Sequence, residues 1–178
     1  MPLPTLLAAT ATVVPARRRA VSPVAGLIQS LNLSMEHQQT DNWCWAAVSV
    51  SVRKFYALPG PLTQCEHVAK QFNRATCCDD ISTCDERFVI DPNIFSRIAG
   101  AFPLVTVKQQ IDARRLVTAR ITWFLGGTHF ICIDGYNVAG PEPMLSVKDP
   151  ANGPRNVPYD KLVTSYLDLG AWTDSYFS

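Results

Sequence analysis

The sequence predicts an α+β domain, with a helical N-terminal half packed against a C-terminal antiparallel β-sheet. Apolar residues between positions 43 and 72 recur with helical spacing, whereas several segments after residue 104 are rich in β-branched and aromatic residues. Helices and strands that are separated along a chain are typical of the α+β class. A length of 178 residues suits one domain with a sizeable core.

Composition and charge narrow the range of functions. Hydrophobic residues make up 47% of the chain and charged residues 17%, which is an ordinary globular composition. The formal net charge is +1, so no excess of positive charge points to nucleic acid or to an acidic membrane surface. No apolar run approaches the roughly 20 residues that a membrane-spanning helix needs. We therefore expect neither a nucleic-acid partner nor a membrane span.

Residues 1–26 differ in composition from the rest of the chain. They are rich in Ala, Leu, Thr and Pro, and the only basic run, residues 17–19, follows their apolar patch. A secretory signal has its basic residues before the apolar run. We therefore predict a flexible leader at 1–26 and a single domain at 27–178.

The first two helices have clear boundaries. Apolar spacing predicts a helix over residues 43–58, with Asp41 or Asn42 as its N-cap. The Pro-Gly-Pro triplet that follows ends it. Thr63 and Glu66 form a capping-box pattern, which predicts a second helix to Phe72.

The remaining elements follow from turn and strand signals. Asp91 followed by proline predicts a third helix, which Gly100 closes after residue 99. A short helix is expected from Pro158 to Tyr166. Strands are predicted at 104–108, 117–124, 129–135 and 144–148.

Four of the six cysteines lie in a cysteine-rich insert over residues 63–88. They could form two disulfides, with three connectivities open, or they could bind zinc with His67 as a further ligand. Because no CxxC pair occurs, we favour disulfides, which require an oxidising compartment. The four cysteines are Cys65, Cys77, Cys78 and Cys84.

Cys44 lies where a polar loop becomes an apolar helix. The unpaired N–H groups and the positive dipole end of a helix N-terminus favour a thiolate over a thiol. A thiolate is the nucleophilic form of cysteine. The position of Cys44 therefore indicates chemistry and not packing alone.

A cysteine nucleophile needs a base and a group that orients the base. His129 follows a glycine pair and opens an apolar strand, and Asp149 ends the next strand. In an antiparallel hairpin the start of one strand lies beside the end of the other, so these two side chains are expected to be neighbours. Competing candidates for the orienting role are Asp134, Asn137 and Asn152.

Two glutamines, Gln38 and Gln39, lie just upstream of Cys44. A side-chain amide there can donate a hydrogen bond to the oxyanion that forms when a thiolate attacks a carbonyl. The backbone N–H of Cys44 can supply a second donor.

These blocks together resemble the papain-like cysteine peptidases. The closest likeness is to their compact bacterial branch, which includes effector proteases and the peptidase domains of bacteriocin exporters. Tryptophans flank the cysteine where many members have glycine, and the cysteine-rich insert is an addition to the minimal pattern. The matching blocks are residues 38–47, 127–136 and 147–150.

The resemblance implies a papain-like fold and a Cys-His-Asp triad that forms a thioester acyl-enzyme. Cys44 would be the nucleophile, His129 the base and acid, and Asp149 the orienting residue. Gln38 would be the oxyanion residue, with Gln39 as the alternative. No cofactor or metal is required.

The expected function is thiol-dependent hydrolysis of peptide or other amide bonds in a protein or peptide substrate. The protein would act as a secreted or translocated bacterial effector or toxin, or as a processing protease, with a cytoplasmic location as the alternative. An inhibitor or immunity protein is a further expected partner. Two other functions stay open, namely transglutaminase- or deamidase-type acyl transfer and a catalytically silent domain that binds a protein partner.

Overall fold

The structure is a computed structural model that describes residues 26–178. The leader predicted at 1–26 lies outside the described residues except for Gly26. Within the described part of the chain, four α-helices pack with a seven-stranded antiparallel sheet, which confirms the predicted α+β class.

Helices and strands are interleaved along the chain, whereas the sequence predicts mainly helices in the first half and strands in the second. The helices are α1 (Cys44–Phe55), α2 (Gln64–Phe72), α3 (Leu104–Asp112) and α4 (Tyr159–Ser165), and two short 3-10 helices lie at Ala75–Cys78 and Ile81–Cys84. The strands are β1 (Ile28–Ser30), β2 (Ser96–Ala99), β3 (Val117–Trp123), β4 (Thr128–Asn137), β5 (Met144–Asp149), β6 (Gly153–Pro158) and β7 (Gly170–Phe177).

The sheet runs in the order β2-β7-β3-β4-β5-β6, with β1 paired to the end of β4. All of these pairings are antiparallel. Helix α1 packs against β4 and buries every residue from Cys44 to Arg53, so it lies in the core and not on the surface. The first residues of α1 and of β4 are thereby brought to the same region of the molecule.

The helix predicted at 91–99 is wrong. The Asp91 carboxylate is buried and forms an ion pair with Arg53, and its other oxygen accepts the N–H of Asn93 in a local turn. Residues 92–94 form that turn, and the chain continues into β2. Arg53 lies 38 residues earlier in the chain, so local turn signals could not reveal this partner.

The strand predicted at 104–108 is also wrong, since this segment is the first half of α3. Val107 and Ile111 are four residues apart and both fully buried, which is helical spacing. Pro103 precedes the helix, where its fixed φ does not interrupt hydrogen bonding. The β-branched residues dominated the local signal, and tertiary packing overrode it.

The cysteine-rich insert contains two disulfides, Cys65–Cys78 and Cys77–Cys84. The disulfide prediction is thus confirmed, and the zinc alternative is wrong because the four sulfurs are bonded in two pairs. In the described residues no cluster of three or more His, Cys, Asp or Glu side chains is arranged to hold a metal ion. The predicted capping box at the start of α2 is present.

Among residues 26–178, every helix is too short or too polar to cross a lipid bilayer.

Candidate active site

Cys44 is the first residue of α1. Its thiol is not in a disulfide, and its side chain is 7% exposed. The predicted caps are wrong, because Trp43 occupies the N-cap position without a side-chain capping bond. The Asn42 side chain instead bonds to residues of the cysteine-rich insert. Cys44 nevertheless lies at the positive end of the helix dipole, among N–H groups that have no partner within the helix.

His129 is the second residue of β4. The turn before it contains Gly126 and Gly127, whose φ angles of 99° and 91° lie in the region that glycine adopts without strain. In the β4–β5 ladder Cys132 faces Lys148, so Asp149 lies opposite Ile131 and diagonal to His129 on the same face. Nε2 of His129 lies 2.8 Å from Oδ1 of Asp149. The structure thus brings together the two side chains that antiparallel hairpin geometry predicts to be neighbours.

Asp149 is held by five hydrogen bonds and is 2% exposed. Its Oδ1 accepts from His129 and from the backbone N–H groups of Ala151 and Asn152. Its Oδ2 accepts from the Tyr166 hydroxyl at 2.7 Å and from the Asn152 amide at 3.1 Å. The carboxylate is therefore fixed in position and fully satisfied.

These contacts shift the pKa values of both groups toward their charged forms. Burial opposes the charge on Asp149, but the hydrogen bond and charge of His129, with Tyr166 and Asn152, hold its pKa well below the usual range. Burial also opposes the charge on His129, yet its hydrogen bond to the Asp149 carboxylate and its interaction with Cys44 raise its pKa to about 9. With a pKa of about 9, the His129 ring is an imidazolium at neutral pH, bonded to the Asp149 carboxylate.

Trp123 packs against the His129 ring. Their ring centroids are 5.6 Å apart with an interplanar angle of 21°, and the same indole stacks on Tyr166 at 6.3 Å. Sequence reasoning missed both aromatic residues. Trp123 is the last residue of β3 and Tyr166 directly follows α4, and neither carries a local signal that separates it from a core residue.

Gln38 is anchored in the loop before α1. Its backbone N–H donates to the carbonyl of Pro150, the residue after Asp149. Its side-chain Nε2 donates to the carbonyls of Thr40 and Asp41, at 2.9 and 3.1 Å. The Gln38 amide is thus held close to the loop of Cys44, and donation to an oxyanion requires one of these bonds to be released.

Among the other candidates for the oxyanion and orienting roles, Asn152 bonds to Asp149, whereas the remaining three have different surroundings. Gln39 is exposed. Asp134 accepts the backbone N–H of Leu33 and pairs with Lys148, so it holds the N-terminal segment on the sheet. Asn137 ends β4 and is exposed.

Two further groups from the sequence analysis lie away from His129. His67 is buried in α2 against the ring of Trp45. Cys132 is a buried thiol on the opposite face of β4 from His129. Burial raises the pKa of its thiol, which keeps it protonated and unreactive.

A thiol at a helix N-terminus, facing a histidine that begins a strand of an antiparallel sheet, defines the papain-like class of cysteine peptidases. The family model described as papain-like cysteine protease AvrRpt2 matches residues 27–166, and the chain belongs to this family. It is therefore a papain-like cysteine peptidase. A search among curated proteins finds no match to the chain.

Proposed function

We propose that the protein hydrolyses peptide bonds through a thioester on Cys44, with His129 as general acid and base and Asp149 as the residue that orients His129. The observation that carries this proposal is the His129 ring itself. It is bonded to the buried Asp149 carboxylate at 2.8 Å, and Cys44 is among the groups that raise its pKa.

Acylation begins with the Cys44 thiolate and the His129 imidazolium. The sulfur attacks the peptide carbonyl carbon, a C–S bond forms, and the carbonyl electron pair moves onto oxygen. The Cys44 backbone N–H and the Gln38 amide are the proposed donors to this oxyanion. His129 then gives its proton to the leaving nitrogen as the C–N bond breaks.

Deacylation uses the same groups in reverse order. Neutral His129 takes a proton from water, whose oxygen attacks the thioester carbonyl. The C–S bond breaks, the carboxylic acid leaves, and the Cys44 thiolate and the His129 imidazolium are restored. Asp149 keeps the ring in one orientation through both steps.

The proposed setting is a bacterium that secretes or translocates this peptidase as an effector or toxin, or uses it as a processing protease. Two disulfides in a small domain support the oxidising environment outside the cytosol. The substrate is a protein or peptide, and an inhibitor or immunity protein is the proposed second partner.

The test uses a proteome-derived peptide library, with new termini read by mass spectrometry, and iodoacetamide as a thiol probe. We expect cleavage and a single rapid alkylation on Cys44, and the loss of both in Cys44→Ala. The matched control is Cys132→Ala, which removes the other thiol and should keep both activities. Hydrolysis that survives in Cys44→Ala overturns the proposal.

A further inference from the structure

A short segment of the insert, residues 84–87, lies against the start of α1. It begins at Cys84, the last residue of the second 3-10 helix. The indole N–H of Trp43 donates to the Cys84 carbonyl at 2.8 Å, and that of Trp45 donates to the Glu86 carbonyl at 3.2 Å. The two tryptophans that flank Cys44 are therefore both bonded to this segment, which we call the 84–87 strap.

The strap also holds Asn42, two residues before Cys44. The Asn42 backbone N–H donates to Oδ1 of Asp85, and its Nδ2 donates to the Asp85 carbonyl, both at 3.2 Å. Its Oδ1 accepts from Nε of Arg87 at 2.8 Å. Three polar groups of Asn42 are thus used by two residues of the strap.

Arg87 extends the strap to the other half of the site. A Cβ added at Gly127 would clash with Nη1 of Arg87, so the guanidinium lies directly over this glycine. Gly127 is two residues before His129. One arginine therefore touches the segment that leads into Cys44 and the segment that leads into His129.

The Cys77–Cys84 disulfide is the covalent anchor of the strap. Both cysteines are fully buried, whereas Glu86 and Arg87 are exposed. Within residues 26–178 the strap forms one ion pair, between Glu86 and Arg74. Both side chains are solvent-exposed, and such pairs contribute little to stability. The disulfide is therefore the covalent link that ties the first residue of the strap to the rest of the insert.

We propose that the 84–87 strap is a positioning device for the nucleophile, and that the peptidase reaches its full rate only when the Cys77–Cys84 disulfide is formed. The inference rests on the proposed function. The residues of the strap act through Asn42, Trp43 and Trp45 and touch no reacting atom. Misplacement of a catalytic group by about 1 Å is enough to cost a large part of a rate.

A thiol reductant then has two opposing effects. Dithiothreitol keeps the Cys44 thiol reduced, which favours activity. It also reduces the Cys77–Cys84 disulfide to two thiols while it becomes a cyclic disulfide itself, and this releases the strap. Rising dithiothreitol should therefore first raise the rate and then lower it.

The main experiment compares two double variants, each lacking one disulfide. In Cys77→Ser/Cys84→Ser we expect kcat to fall roughly tenfold or more with KM nearly unchanged, and iodoacetamide to alkylate Cys44 more slowly. The matched control, Cys65→Ser/Cys78→Ser, should stay within about twofold of wild type in both measurements. Equal behaviour of the two variants overturns the proposal.

A pair of single substitutions covers the case in which the disulfide variant fails to fold. Asp85→Ala removes the acceptor for the Asn42 N–H, and Asp85→Asn retains an oxygen at that position. We expect kcat and the Cys44 alkylation rate to fall several-fold in the alanine variant and to recover in the asparagine variant. A wild-type rate in Asp85→Ala overturns the proposal.

The alkylation rate separates the two proposals. It reports on Cys44 without any substrate, so it tests the strap even if no peptide is cleaved. If wild type cleaves no peptide but Cys44 is alkylated more slowly in Cys77→Ser/Cys84→Ser, the proposed function is contradicted and the positioning role of the strap is supported. If wild type cleaves peptides and the variant has an unaltered alkylation rate and kcat, the proposed function is supported and the positioning role is contradicted.

Discussion

Nε2 of His129 is bonded to Oδ1 of Asp149 at 2.8 Å, and both side chains are buried. A histidine ring has two nitrogens, so Nδ1 is the one left for the proposed proton exchange with Cys44. The carboxylate stabilises the protonated ring, which makes the pKa of His129 the property that this contact controls.

Asp149→Asn should change the pH profile as well as the rate. In the proposed mechanism the leaving nitrogen takes its proton from His129, so the alkaline limb of kcat/KM should lie near the His129 pKa of about 9. Removing the negative charge lowers this pKa, so the limb should move to lower pH. We expect the rate at neutral pH to fall roughly tenfold or more. The measurement is kcat/KM across the pH range, and an unmoved alkaline limb would contradict the assigned role.

The two glutamines before Cys44 can be separated by single substitutions. Gln38→Ala should lower kcat by roughly 10²-fold, because it removes one of the two proposed donors to the oxyanion. Gln39→Ala is the control, since that side chain is exposed, and should change kcat by less than about twofold. Steady-state kinetics on one cleaved peptide would decide, and equal losses in the two variants would argue against a specific role for Gln38.

Tyr166→Phe tests whether the network around Asp149 matters for catalysis. The Tyr166 hydroxyl donates to Oδ2 of Asp149, and its loss should raise the Asp149 pKa and destabilise the fold by about 1.5–3 kcal/mol. We also expect kcat to fall several-fold. Tyr159→Phe is the matched control, because its hydroxyl donates to the Phe102 carbonyl and not to a site residue. Urea unfolding and kcat should therefore change together in the first variant, and only stability in the second.

The pairing of His129 with Asp149 could be predicted because it depends on local features. A glycine pair and two apolar strands define a hairpin, and antiparallel geometry then places the start of β4 beside the end of β5. The position of Cys44 was equally local, since a change from polar to apolar residues marks a helix start.

The wrong or missing predictions concern segments whose structure is set by residues far away in the chain. Asp91 followed by proline is a helix signal on its own, but its carboxylate is taken by Arg53 of α1. The edge strand β6 contains glycine and two prolines, which are depleted in strands, and it forms because it pairs with β5. The stacking of Trp123 on His129 depends on the folded sheet, so no spacing in the sequence reveals it.

His67 makes stability depend on pH independently of the active site. Its ring is fully buried against Trp45, and neither ring nitrogen has a hydrogen-bond partner among the described residues. Burial lowers its pKa from 6.5 to about 4, although the charge of Asp91 opposes this shift. The unfolded chain therefore takes up the proton first as the pH falls. The contribution of His67 to the free energy of unfolding is therefore fully present above pH 6.5 and is lost between pH 6.5 and pH 4.

The predicted loss amounts to about 2 kcal/mol between roughly pH 7 and pH 5. His67→Leu removes the titrating group and should flatten the unfolding free energy across this window. His37→Gln is the control, because His37 is exposed, and it should keep the pH dependence of wild type. Urea unfolding of the three proteins at both pH values measures the difference. If His67→Leu lost as much stability on acidification as wild type, the pH dependence would have to come from other groups, because this variant has no imidazole at position 67 to protonate.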